Sequence, residues 1–578
     1  MSAAEVRIAH DGRALELVPR QYERAEIERR LGDAAHPIRT QRAGRRLKVD
    51  FAVGETLLEE SPVDLDWSPD AERAVQNRRR QRELAPQVFE RVSRIKQRDP
   101  ATDSHAPCSL LRDTLDDHQL VNVSVMIVEG GWGTCIFDEQ GTGKTLTVIA
   151  AFDELAERNE ADVLVVVAPK SMVGEWAKEF QTFAGNLYRV AVAEGSRREK
   201  LRALRAGADV IVLNYEGAVA LKEELVLLAK RTRVILVVDE SYNVKNPEAI
   251  RTSALGEIRE WCERCFVLCG TPAPNSPRDL IAQFDLVDFG FTFAGLTIDE
   301  DSPDLGARIR DAMDARGIYT RNLKSVVLPG LPRREFTEVN VELAPVQRSL
   351  YSTALNQLVI DLRETTDSDY RRRITSFLER RHALLRICSN PASLAPGYDE
   401  IPAKLRVLDD VLPRYVDAGE KVVLWSFYRA SLEALAARYS HFGLVRIDGS
   451  VADVASRREA IRSFQEDADT RVFLGNPAAA GAGLTLHRAR VAIYESMSNQ
   501  AAHFMQSLDR IHRRGQERDV EYVILLCRGT LEETEYQRLL DKTDAQADVL
   551  GDPTPKRPTR QVLLDELLRT QERLETST

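Results

Sequence analysis

Asp138-Glu139-Gln140-Gly141-Thr142-Gly143-Lys144-Thr145 places two glycines, a lysine and a threonine hydroxyl in one short stretch. Residues of those types at that spacing suit polyphosphate. Glycines let successive backbone N–H groups converge on one spot, and a lysine and a hydroxyl then open a helix whose dipole favours anions. The run Thr134-Cys135-Ile136-Phe137 precedes the glycines and Leu146 to Phe152 follows them. That order of strand, turn and helix is the setting a phosphate loop requires. On this reading Lys144 reaches the β- and γ-phosphates of a nucleotide, and Thr145 holds Mg²⁺. Asp138 stands where the common pattern has its first glycine.

Asp239 and Glu240 end the apolar run Val234 to Val238. Charge seldom follows so apolar a strand without a partner or a metal. Downstream of a phosphate loop the pair has a definite use. Asp239 holds Mg²⁺, usually through water, and Glu240 polarises the water that attacks the γ-phosphate. Arg510 and Arg513 lie three apart in Gln506-Ser507-Leu508-Asp509-Arg510-Ile511-His512-Arg513-Arg514-Gly515-Gln516. On a helix they share a face and project toward one phosphate, where arginine stabilises charge developing in phosphoryl transfer.

Parallel strands are the elements that position such groups. Val163 to Ala168, Val210 to Leu213, Val234 to Val238 and Cys265 to Leu268 are short apolar runs separated by helical stretches. This is the pattern of a parallel sheet covered on both faces. After a helical section the alternation resumes at Lys421 to Trp425, Leu444 to Ile447, Arg471 to Leu474, Val491 to Tyr494 and Val520 to Leu525. The expected organisation is an accessory region at 1–105 and a nucleotide-binding α/β lobe at 106–290. A helical insert and linker follow at 291–400, a second α/β lobe at 401–545, and a linker with a final helix at 546–578. The N-terminal region reads as helical and irregular, with helical patterns at Gln21 to Leu31 and Ala71 to Lys96.

The chain has 578 residues, too many for one core, with 43% hydrophobic and 29% charged residues, a globular composition. No apolar run approaches the ~20 residues that span a bilayer, and no signal-peptide core follows Met1, so a cytoplasmic location is expected. A net charge of −10 excludes a wholly basic nucleic-acid binder. Local basic runs at Arg42 to Lys48 and Arg78 to Arg82 read as solvated faces or nucleic-acid contacts. Cys262 and Cys265 form a lone CxxC with no second half-site, which reads as reduced thiols.

The ordered series resembles the Swi/Snf-type helicase-like ATPases of helicase superfamily two over about residues 106–545. Its parts are Leu115 to Gln119, Asp138 to Thr145, Val167 to Ser171 with Trp176 and Glu179, and Ile211 to Glu216. Asp239 to Tyr242 with Lys245-Asn246, Gly270-Thr271-Pro272 with Asn275, and Tyr319 to Lys324 follow. Asp448-Gly449-Ser450, Gly481 to Leu486 and Gln506 to Gln516 complete the series. The resemblance implies two RecA-like lobes with parallel sheets, ATP and Mg²⁺ as cofactors, and double-stranded DNA as a partner gripped by its backbone. It implies that Gln119 reads adenine and that Glu139, Gln140, Gly141, Thr142, Gly143, Gly483 and Gln506 join Asp138, Lys144 and Thr145 around the nucleotide. Pro169, Lys170, Ser171, Asn214, Tyr215, Ser426 and Thr485 are the implied DNA contacts. Tyr242 departs from the family's usual histidine. The activity implied is ATP-driven movement along duplex DNA, in repair, protein displacement or anti-phage defence of a bacterial or phage type. Rival readings are a strand-separating DNA or RNA helicase and a non-catalytic recruitment factor. Residues 1–105 are the expected seat of a protein partner.

Overall fold

The computed structural model describes residues 4–9, 14–20, 29, 47–61, 63–97, 111–270, 272–273, 277–294, 296, 304–449, 454–478, 484–498, 501–547 and 560–576. The chain divides into two compact units, Met1–Ala273 with Pro277–Leu323, and Pro274–Ser276 with Lys324–Thr578.

The first unit opens with strands β1 (Ala4–Ile8), β2 (Leu15–Pro19), β3 (Leu47–Val49) and β4 (Leu65–Trp67). They form a small sheet in the order β3-β2-β1-β4, antiparallel except for the parallel pair β1–β4. The helical pattern at Ala71 to Lys96 forms the helix Pro69–Gln97. The small sheet is an addition to the helices expected there, because its short strands mix apolar with charged residues. Most of Gln21 to Leu31 lies outside the described residues. The long helix belongs to the same unit as the main sheet and is fastened to it. Lys96 Nζ donates to the carbonyls of Gly317 and Tyr319 at 2.7 and 2.6 Å, and Arg78 Nη1 bonds Glu260 at 2.9 Å.

Strands β5 (Gly133–Ile136), β6 (Val163–Ala168), β7 (Val190–Val192), β8 (Val210–Asn214), β9 (Val234–Asp239), β10 (Arg264–Leu268) and β11 (Tyr319–Thr320) build the main sheet of this unit. Its order is β11-β5-β10-β9-β6-β8-β7, and every pair is parallel. The apolar runs become the central strands because helices cover both faces. Val234 to Val238 are at most 1% exposed, and each such side chain contributes about 1.5–3 kcal/mol by leaving water. Strand crossovers of this kind put all C-terminal strand ends, and the loops they carry, on one edge of the sheet.

The second unit contains β12 (Arg334–Val341), β13 (Val422–Trp425), β14 (Leu444–Ile447), β15 (Val472–Gly475), β16 (Val491–Tyr494) and β17 (Val520–Cys527). They form an all-parallel sheet in the order β12-β17-β16-β13-β15-β14. β12 falls in the stretch expected as helical insert and linker. It is an edge strand whose residues are mostly exposed, so it carries no apolar run to betray it. The rest of that stretch is largely helical, with Pro345–Glu364 and Asp367–Ser389 packed on the sheet's core. The final helix is Arg560–Thr576. No helix among the described residues is long and apolar enough to cross a membrane.

Candidate functional site

β5 leads into the glycine turn, and the helix Lys144–Glu157 starts directly after it. Gly141 and Gly143 have φ of 84° and 87°, a left-handed conformation open to glycine at little cost. A Cβ on Gly143 would also stand 2.2 Å from Gln119 Nε2. Gln119 lies in the helix Asp117–Met126, which packs beneath the turn. Its Nε2 donates to the carbonyls of Thr142 and Gly143, both at 3.2 Å, while its Oε1 accepts from the Asp116 amide at 2.8 Å. Both ends of the amide are thus engaged in shaping the loop. Lys144 Nζ lies over the loop and donates to the carbonyls of Asp138 (2.8 Å) and Glu139 (3.1 Å). Thr142 Oγ1 closes the turn on the Glu139 carbonyl at 2.9 Å.

Asp138, expected among the nucleotide contacts, turns its carboxylate away from the loop. It is 1% exposed and accepts from Asn122 Nδ2 (2.6 Å), Thr320 Oγ1 (3.2 Å), and the Asn322 amide and Nδ2 (both 3.0 Å). A buried carboxylate requires such donors, and here they tie the loop to the segment after β11. The Asn322 carbonyl completes the tie by accepting from the Glu139 amide at 3.0 Å. Arg321 reinforces it from the other side, donating to the carbonyls of Phe137 and Gly270. Asn122, Asn322 and Arg321 are the loop's braces. In the sequence Asn322 and Arg321 stand only within the run Tyr319 to Lys324, with no sign of this bracing role.

The acidic pair emerges from β9 on the same edge of the sheet. Asp239 Oδ2 accepts from the indole Nε1 of Trp176 at 2.8 Å, and its Oδ1 accepts from the Glu240 amide at 2.9 Å. Burial raises the pKa of this carboxyl; the Trp176 hydrogen bond and the Lys144 charge oppose the rise. Glu240 is 3% exposed and sits at φ 51°, ψ 54°, a left-handed conformation that costs a non-glycine residue about 1–3 kcal/mol. The surroundings enforce it. Tyr215 Oη donates to the carbonyls of Asp239 (2.6 Å) and Glu240 (3.3 Å), and Asn243 Nδ2 donates to the Glu240 carbonyl at 2.9 Å. Gln140, in the loop, donates to Glu240 Oε1 at 2.6 Å. Loop and acidic pair are thereby joined directly.

These contacts correct the reading of Tyr215. It is 3% exposed and holds the acidic pair from behind, so it offers no surface to DNA. Asn214 is half-buried and caps the helix Tyr215–Ala220, accepting from the Gly217 amide at 2.9 Å. Pro169 and Ser171 are half-buried and Lys170 is exposed, directly after β6.

In the second unit Ser426 is also corrected. It is fully buried, and its hydroxyl donates to Glu495 Oε2 at 2.7 Å. Thr485 is half-buried, and its carbonyl accepts from Gln465. Gly483 lies outside the described residues. Gln506 is buried in the helix Ala501–Leu508. That helix ends before Arg510, so the two arginines sit on turns, not on the helix expected. They nevertheless converge: Arg510 Nη1 and Arg513 Nη1 both donate to the Leu484 carbonyl, at 3.4 and 3.3 Å. The turns are fixed from beneath. Lys324 Nζ, 1% exposed, bonds Asp509 Oδ1 at 2.5 Å and the His512 carbonyl at 3.1 Å. Gln516 Nε2 donates to the carbonyls of His487 and Ala489.

Other clusters serve the fold. Arg78, Arg79 and Arg82 pair with Glu260, with Glu59 and Glu83, and with Glu55, so that basic run faces carboxylates of its own chain. Arg42 to Arg46 lie outside the described residues. Cys262 and Cys265 are buried, which pushes both thiols up to about 12. Cys388, Cys527 and Glu532 lie together, but the Lys404 ammonium bonds Glu532 at 2.7 Å, so the cluster is neutralised without a metal.

Residues 117–393 match the SNF2-related domain and residues 403–515 the helicase conserved C-terminal domain. The chain is 28% identical over 472 residues to a probable chromatin-remodeling complex ATPase chain of Oryza sativa subsp. japonica, covering 76% of this chain and 41% of that one. It is 25% identical over 434 residues to an uncharacterized ATP-dependent helicase of Mycoplasma pneumoniae, covering 72% and 40%. The chain thus spans about two fifths of the length of these relatives. A solved Sulfolobus solfataricus SWI2/SNF2 ATPase core, in complex with dsDNA, is 23% identical over 79% of this chain and 96% of that one, with a TM-score of 0.34.

Proposed function

Because this chain belongs to the Swi/Snf-type ATPases of helicase superfamily two, we propose that it hydrolyses ATP and couples the cycle to movement along double-stranded DNA. The observation that carries the proposal is the hydrogen bond from Gln140 to Glu240, which joins the glycine turn that bears Lys144 to the acidic pair on one sheet edge. Lys144 exchanges its loop carbonyls for phosphate oxygens. The glycine turn, shaped by Gln119, presents backbone to the phosphates. Thr145 and Asp239 offer the hard oxygen donors that suit Mg²⁺, which would neutralise phosphate charge. Glu240 takes the proton from the attacking water. Arg510 and Arg513 act on the charge that develops on the transferred group.

DNA contact is assigned to Pro169, Lys170, Ser171, Asn214 and Thr485, through backbone groups, hydroxyls and helix ends. Such contacts read phosphates and carry no sequence information. A relative's name supports the class: it is a probable chromatin-remodeling complex ATPase chain. Displacement of a triplex-forming third strand from duplex DNA tests the coupling. ATP-dependent displacement without separation of the duplex is the expected result. Separation of the two duplex strands favours the helicase reading, and neither activity with intact ATP turnover contradicts coupling to movement.

A further inference from the structure

The backbone at Glu240 is gripped on one side by Tyr215 and Asn243. On the other side the next residue, Ser241, is 0% exposed and its Oγ donates to Gln283 Oε1 at 2.5 Å. Gln283 is also 0% exposed. It lies in the first turn of the helix Ile281–Asp288, and its Nε2 donates to the carbonyls of Pro272 (2.6 Å) and Asp279 (2.7 Å). One side-chain amide therefore ties together the loop after β9, the turn after β10 and the start of the following helix. Lys245 and Asp279 add an ion pair at 3.4 Å between the same loop and the turn Pro277–Leu280 that leads into the helix.

We propose that Gln283, acting through Ser241, is a positioning residue for Glu240. A fully buried glutamine is costly unless its amide is satisfied, and here the amide's donors and acceptor meet three different partners. Glu240 sits in a conformation the chain does not adopt unaided, so its carboxylate is only as well placed as the backbone on either side of it. Ser241 is the adjacent fixed point, and Gln283 anchors that point. Because Gln283 also holds the Pro272 carbonyl, a shift of the turn after β10 is passed to the base. This inference rests on the ATPase reading of the site.

The test uses the full chain and measures kcat, KM for ATP, and nucleotide affinity for Ser241→Ala, Gln283→Met and the double variant. A misplacement of about 1 Å costs on the order of 10²-fold in rate. Each variant is expected to lose about tenfold to a hundredfold in kcat with KM and nucleotide affinity near the parent values, and the double variant to be no worse than Gln283→Met. In a Glu240→Gln background, where the base is absent, Gln283→Met is expected to change residual turnover by less than twofold. Ser241→Ala removes a single hydroxyl and keeps the test intact if Gln283→Met does not fold. Parent-like kcat in Ser241→Ala overturns the proposal, as does a further large loss from Gln283→Met on top of Glu240→Gln. Full turnover in Glu240→Gln itself would instead strike at the ATPase reading, so the two failures are distinguishable.

Discussion

The indole N–H of Trp176 donates to the Asp239 carboxylate at 2.8 Å across 63 residues of sequence. Trp176 is fully buried, so this carboxylate is oriented by a rigid donor in the helix Val173–Ala184 and not by solvent. Asp239 thereby keeps a fixed direction, which is what a ligand of a small, geometrically demanding cation requires.

Trp176→Phe keeps most of the ring and deletes the donor. A buried acceptor left unsatisfied costs about 1–3 kcal/mol, so the variant should unfold earlier in urea. Its requirement for Mg²⁺ in ATP turnover should rise severalfold, since Asp239 loses its orientation. Metal titration of turnover, beside a urea curve, checks both expectations. Unchanged Mg²⁺ dependence would mean that the tryptophan serves packing alone.

Asp288 makes stability depend on pH away from the site. Its carboxylate accepts from the amides of Gly290, Phe291 and Thr292, yet burial pushes its pKa up to about 6. An acid whose folded pKa exceeds its unfolded value, near 3.9, binds protons more tightly when folded. Its contribution to stability is present below about pH 4 and is lost as pH rises to about 6. In Asp288→Asn that loss is absent. The difference in unfolding free energy, variant minus parent, should therefore grow between pH 4 and 6 and then level off. A difference flat across that range would refute the assignment.

Arg513 shares the Leu484 carbonyl with Arg510 and lies more than three hundred residues from Lys144 in sequence. If it acts on developing phosphoryl charge, Arg513→Ala should lose far more turnover than ATP affinity, on the order of 10³-fold or more. If it only holds DNA phosphate, saturating DNA and low salt would restore the parent rate, because such contacts are screened by ions. Turnover of the variant across a salt series at saturating DNA decides between the two.

Much of this was legible because burial in parallel strands leaves continuous apolar runs. Val163 to Ala168 and Val491 to Tyr494 became strands with the bounds the residues suggested. The glycine turn and the acidic pair were legible because their chemistry fixes residue types. Direction and depth were not. Tyr215 and Ser426 follow strands as a DNA contact would, yet each hydroxyl points into its unit and holds an acidic residue or its backbone. The side chain of Asp138 is held by Asn122, Thr320 and Asn322, donors from distant segments that no local pattern reveals. β12 left no trace because an edge strand with exposed Arg334 and Glu335 has no apolar face to show.

The central claim is that Lys144, Asp239 and Glu240 form one ATP-hydrolysing site whose turnover answers to duplex DNA. Steady-state phosphate release by the parent, Lys144→Ala and Glu240→Gln, each with no nucleic acid, single-stranded DNA, duplex DNA or RNA, tests it most directly. The expected result is parent turnover strongly stimulated by duplex DNA, no turnover in Lys144→Ala, and Glu240→Gln that binds ATP and DNA but scarcely hydrolyses. Parent-like turnover in either variant, or a parent whose rate is the same with and without duplex DNA, would contradict the account.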